Sequence, residues 1–253
     1  MNKVISIGFF LFLFQLSLFS QDKLNLNDNK GTMLELGFEY NFLIPQADMK
    51  QYFADYKGVG MHFQLLSKRN IYFGGQMQFL FGNELDQDPL VQWRDNLENV
   101  YGLNYTFAIN PTKMRGLSGQ IYTGKLFPIK AKNARMGIKT TLGVGFLQHK
   151  LKIQKDPTVF LPQLEGDYMK ILDNMHNGIS LHQFIGFHYL GNNRMINWYA
   201  GVECLQAFTE NRRSYSYDIG IDPIADRMDM SIGFKIGWIL PFYINETSDN
   251  IWY

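Results

Sequence analysis

The 253-residue chain is of a size for one domain, and its near balance of charge, Lys+Arg 24 against Asp+Glu 23, argues against a nucleic-acid or polyanion partner. Aromatic residues make up 15% of it, high for a soluble domain, yet a mean hydropathy of -0.18 is too low for a bundle of membrane helices. A membrane barrel reconciles the two, because its lipid face is apolar and aromatic while its interior and loops are polar.

The first twenty residues read as a secretion signal. Lys3 supplies the positive end, an apolar run extends from Ile5 to Phe14 and on to Phe19, and Ser17-Leu18-Phe19-Ser20 precedes a cleavage point before Gln21. A membrane anchor is the competing reading, but the run is short, is interrupted by Gln15 and Ser17, and is followed by no basic stop-transfer cluster. Residues 21–31 form a polar periplasmic leader, 32–243 the folded body, and 244–253 a C-terminal periplasmic tail.

From Met33 to Ile44 polarity alternates at period two, with Leu34, Leu36, Phe38, Tyr40, Phe42 and Ile44 opposite Glu35, Gly37, Glu39 and Asn41, and Pro45 is expected to end the strand. Further strands follow over Gly58–Ser67, Ile71–Gly82, Leu117–Phe127 and Arg135–Ile153. Between the third and fourth, Asp88-Pro89 is placed to cap a short helix reaching Trp93 and Leu97, and Tyr101–Ile109 alternates as either a hairpin or an extension of the strands beyond the membrane would. The central pair, Ile179–Tyr189 and Ile196–Cys204, flanks the turn Gly191-Asn192-Asn193-Arg194, and Met228–Tyr243 is the last strand.

These are eight strands, each long enough to cross a bilayer at a tilt, which takes roughly 9 to 11 residues. Their connections alternate strictly, short at Lys68–Asn70, Ile129–Ala134 and Gly191–Arg194, long at Pro45–Lys57, Asn83–Gly116, Gln154–His176 and Thr209–Asp226. A soluble sandwich has no reason to sort its loops this way, whereas outer-membrane barrels keep short turns on the periplasmic side and long loops outside. The expected fold is therefore all-β, an eight-stranded antiparallel transmembrane barrel, with Tyr40, Phe42, Phe81, Phe127, Tyr189, Trp198, Trp238 and Phe242 in the interfacial girdles.

Several stretches resemble a family of outer-membrane β-barrel proteins widespread in Bacteroidota. They are Gly124-Lys125-Leu126-Phe127-Pro128, Thr141 to Lys150, the central hairpin, Asn211-Arg212-Arg213-Ser214-Tyr215, and Gly237 to Tyr243. The resemblance implies fold and location and no established activity. Because large envelope machines for protein insertion and secretion in these bacteria contain small barrels as accessory subunits, it also implies such a role.

On the inward face, strand parity gathers Glu35, Glu39, Glu203 and Asp229 with Lys139, Lys235, His62, His182 and His188. An eight-stranded interior is just wide enough for side chains to fill, so these groups read as paired charges more than as a channel. Ser180, His182 and Glu203 share one hairpin and invite comparison with a nucleophile, base and acid, but Ser180 and His182 lie about 7 Å apart along one strand face. His182 and His188 are roughly 20 Å apart at about 3.3 Å per residue and cannot share a metal. Cys204 is the only cysteine, excluding an intramolecular disulfide.

The loops offer Trp93, Arg94, Arg212, Arg213, Tyr215 and Tyr217, residue types favoured at interfaces and able to hold lipopolysaccharide phosphates. The Tyr52-Phe53-Tyr56 group is expected in another loop. The sequence thus points to a non-enzymatic structural or docking subunit of an envelope assembly, without cofactor or metal, in contact with outer-membrane lipid, lipopolysaccharide and other envelope proteins. A lipid A-modifying enzyme and a narrow pore are the alternatives.

Overall fold

The computed structural model describes residues 31–97, 99–101, 107–108, 111–130, 133–155, 159–161, 164, 166, 169, 172–191, 196–213 and 227–244. The expected signal, all but the last residue of the expected leader, the expected tail beyond Ile244, and Asn192, Asn193 and Arg194 of the expected turn therefore lie outside the described residues.

The strands are β1 (Met33–Ala47), β2 (Tyr56–Leu66), β3 (Ile71–Gly82), the two-residue β4 (Val100–Tyr101) and β5 (Phe107–Ala108), then β6 (Thr112–Lys130), β7 (Asn133–Ile153), β8 (His176–Leu190), β9 (Asn197–Asn211) and β10 (Arg227–Tyr243). Eight of them close into an antiparallel barrel in the order β1-β10-β9-β8-β7-β6-β3-β2, while β4 and β5 pair only with each other. Each sequence-predicted barrel strand is present. The short and long connections sort to opposite ends as expected.

Two expectations about strand ends need correction. Pro45 does not end β1, which runs on to Ala47, and Pro128 lies within β6. At Pro45 the β2 partner has already stopped at Leu43↔Tyr56; at Pro128 the β3 partner has stopped at Ile71↔Lys125; at Pro241 the β9 partner has stopped at Trp238↔Trp198. All three prolines thus sit where a strand keeps one neighbour, the edge condition under which a missing N–H is tolerated. The segment after Asp88-Pro89 is also shorter than expected, a 3-10 turn over Val91–Trp93, with Asp88 Oδ1 accepting from the Leu90 N–H at 3.0 Å.

Period-two alternation puts Phe38, Met61, Phe63, Phe73, Met77, Ile121, Leu142, Ile185, Phe234 and Ile236 outward, all more than two-fifths exposed. Side chains of this size at that exposure form an apolar belt around the barrel, which lipid would cover. At the short-turn end Trp198 packs against Phe187 at 5.7 Å and Tyr189 at 6.2 Å between ring centroids.

The interior is layered. Near the short-turn end Met33, Leu66, Tyr72, Leu126, Phe184, Leu190, Tyr199 and Ile239 form one buried apolar cluster. At the long-loop end Leu43, Met49, Tyr52, Phe53, Tyr56, Leu80 and Met114 form another with residues of β7 and β9. The charged groups lie with these clusters inside the barrel.

Candidate functional site

All nine inward ionisable residues picked out in the sequence are at most 5% exposed, and the structure joins most of them into one network. Lys235 is its centre, with Nζ 2.7 Å from Glu203 Oε2 and 3.5 Å from Glu39 Oε1, bridging β1 and β9 from β10. His182 Nε2 lies 3.2 Å from the same Glu203 oxygen. Glu39 also accepts from Tyr199 Oη at 2.6 Å and from Gln78 Nε2 at 2.9 Å, and His62 Nδ1 stands 3.3 Å from it. Hydrogen bonds and ion pairs of this number are how a packed interior tolerates a buried carboxylate.

A second layer, nearer the short turns, is built on Glu35. Its Oε2 accepts from Gln64 Nε2, and His188 Nε2 lies 3.6 Å away. Lys139 donates to Gln64 Oε1 at 2.9 Å and sits over the rings of Tyr72 and Tyr199 at 4.6 and 4.8 Å. Two aromatic faces thus replace part of the water that a lysine normally keeps. Asp229 stands apart at the long-loop end. It binds His149 Nε2 at 2.7 Å, Thr209 Oγ1 at 2.5 Å and Arg227 Nη2 at 3.2 Å.

Local backbone geometry makes room for this. A Cβ on Gly37 would stand 2.0 Å from the His62 ring, and one on Gly237 would stand 2.2 Å from the Tyr199 ring. These glycines let the two rings pack edge to face at 5.3 Å above Glu39.

Sequence reasoning missed much of this set. The pairing of His149 with Asp229 and the parts of Gln64, Gln78, Tyr122 and Tyr199 depend on which strands become neighbours. Arg135, fully buried, was not foreseen as an anchor. It donates to Ser67 O at 3.0 Å and also to Asn70 Oδ1 and Gly31 O, tying the β2–β3 turn to the strand entry. Ring closure sets these contacts, so no local pattern could give them.

Ser180, His182 and Glu203 do not assemble as a catalytic relay. Ser180 Oγ accepts from Gln120 Nε2 at 3.0 Å, while His182 turns to Glu203. No cluster of His, Cys, Asp or Glu suited to a metal occurs among the described residues.

Of the loop residues, Tyr215 and Tyr217 lie outside the described residues. Trp93 packs on a loop cluster of Leu90, Val100, Ile153, Leu161, Leu164 and Leu172. Arg94 pairs with Asp88, and Arg213 grips Asp173 with Nε at 2.7 Å from Oδ1 and Nη2 on Oδ2, which raises its already high pKa. Arg212 remains half-exposed beside Glu210 at 3.2 Å. The Tyr52-Phe53-Tyr56 group is corrected outright. These rings fold into the barrel mouth, with Tyr56 Oη 2.5 Å from Ser231 Oγ and Arg227 stacked over Tyr52 at 4.4 Å. Beside them a cleft of about 800 Å3 is lined by Glu84, Asp86, Asp88, Arg94 and Asp95.

No protein-family model matches the sequence, and no curated protein matches it. Among solved structures the chain is similar to Ail, the attachment invasion locus protein of Yersinia pestis, with 8% identity over 84% of this chain and 99% of that one and a TM-score of 0.39. It is similar to Neisserial surface protein A at 9% identity, 82% and 98% coverage and a TM-score of 0.39. A deltaS2 mutant of the TodX monoaromatic hydrocarbon channel matches at 10% identity, 85% and 68% coverage and a TM-score of 0.29. Likenesses at these scores carry no functional argument.

Proposed function

We propose that the protein is an integral outer-membrane barrel serving as a non-enzymatic structural or docking subunit of a larger envelope assembly. The observation that carries this reading is the filled interior. Two apolar clusters close on a hydrogen-bonded charge network, leaving the loop crown and the outward face as the surfaces available for work. The apolar belt supports placement in a membrane, and strand-borne spanning together with the loop sorting favours the outer one. The sequence resemblance adds Bacteroidota, and their insertion or secretion machinery, as the setting.

The non-enzymatic part rests on Ser180, whose hydroxyl is engaged by Gln120 and not by His182 inside that packed interior. Purification from native envelopes in mild detergent is expected to bring down stoichiometric partners. A clean monomer across several detergents would overturn the docking reading. Lipid A of unaltered mass in cells that carry Ser180→Ala or His182→Ala is expected, and an altered mass would restore the enzyme.

A further inference from the structure

β6 and β7 have 19 and 21 residues, about twice what a tilted crossing needs, and at the long-loop end they stay paired out to Thr112↔Ile153. There the outward face changes from apolar to cationic along a line fixed by register. Lys57 on β2 opposes Phe81 on β3, Phe81 opposes Arg115 on β6, and Arg115 opposes Lys150 on β7. One step further out Lys113 opposes Lys152. Five cations from β2, β6 and β7 thus occupy the outward face here, with Phe81 of β3 between Lys57 and Arg115.

Facing like charges across a ladder is unfavourable, so the arrangement calls for an anion. Asp173 is the acidic group that reaches it among the described residues, 4.0 Å from Lys150, and its carboxylate is already gripped by Arg213. Arg115 donates to Met114 O at 2.6 Å, and Lys113 to Gln154 Oε1 at 3.3 Å, both neutral acceptors. A cavity of about 400 Å3 opens between them, lined by Arg115, Lys150, Lys152 and Asp173 with Phe79 at its base. Directly below, Val59, Phe79 and Leu117 continue into the apolar belt, each more than two-fifths exposed.

We propose that this strip binds the phosphorylated headgroup of an outer-leaflet glycolipid of the lipid A type, its acyl chains lying down β3 and β6. The assignment rests on the outer-membrane reading above. A cationic ledge over an apolar wall matches a phosphate over hydrocarbon, and the arginine with two lysines can divide one phosphate's oxygens among them.

The test is native mass spectrometry of the full chain in mild detergent, with added bis-phosphorylated lipid A or the same lipid without phosphates. The wild type is expected to retain the phosphorylated lipid selectively. Arg115→Gln/Lys150→Gln/Lys152→Gln should weaken retention by about a hundredfold, and Lys68→Gln/Arg69→Gln/Lys125→Gln, with equal charge loss at the other end, should leave it unchanged. Equal retention of the lipid without phosphates by the wild type overturns the proposal, whatever the variants do. So does unaltered retention by the first triple variant, or displacement of the lipid by millimolar inorganic phosphate. Outer-membrane fractionation of each protein separates the two ideas. A chain found in the membrane that ignores the phosphates loses this site alone, and a chain found elsewhere loses both.

Discussion

Lys235 shows how a single side chain can hold a barrel interior together. It lies between Glu203 and Glu39, and each carboxylate has further neutral or histidine partners. Lys235→Met leaves two buried carboxylates without their cation, and breaking such a pair costs about 3–5 kcal/mol. That loss is expected in urea unfolding of the barrel in lipid vesicles, and adding Glu203→Gln and Glu39→Gln should recover most of it. The glycines opposite matter for a steric reason. Gly237→Ala pushes a methyl into the Tyr199 ring, and overpacking of this kind costs about 1–3 kcal/mol by the same assay, whereas Gly119→Ala, which would meet nothing within 4 Å, should be close to neutral.

At the scale of elements, the strands were legible because an apolar outer face and packed polar groups inside impose one clean period of two residues. Where that contrast fades, legibility fades as well. β6 begins at Thr112, five residues before the expected start, because Lys113 and Arg115 replace apolar outward residues while the backbone ladder with β7 continues. Pro45 and Pro128 misled for a related reason, since whether a proline breaks a strand depends on neighbours that only the closed ring supplies. The aromatic run Tyr52-Phe53-Tyr56 reads as an exposed loop group; its fate was decided by apolar partners on β7 and β9. Within the candidate site, parity identified the nine inward charges, while the partners of each came from ring order. The loop crown yields its own prediction. Arg213→Ala removes both bonds to Asp173, and a charge-assisted pair of this kind is worth enough for proteinase K cleavage within 154–175 to rise about tenfold in proteoliposomes.

For the whole molecule, the layered interior predicts electrical silence. Reconstituted protein in planar bilayers is expected to show no steady conductance, and a steady channel would overturn the account of a filled lumen. Another consequence follows from the seam of the ring. β1 and β10 pair without a break from Met33↔Tyr243 to Ala47↔Asp229, and just past them the Ile244 N–H bonds to Thr32 O at 3.1 Å. The two ends of the barrel are thus one hydrogen bond apart, and the covalent break between them is an accident of genetic order. A circular permutant that links residue 244 to residue 32 through a short glycine-serine joint, and opens instead in the 191–196 turn, should reach the same folded barrel.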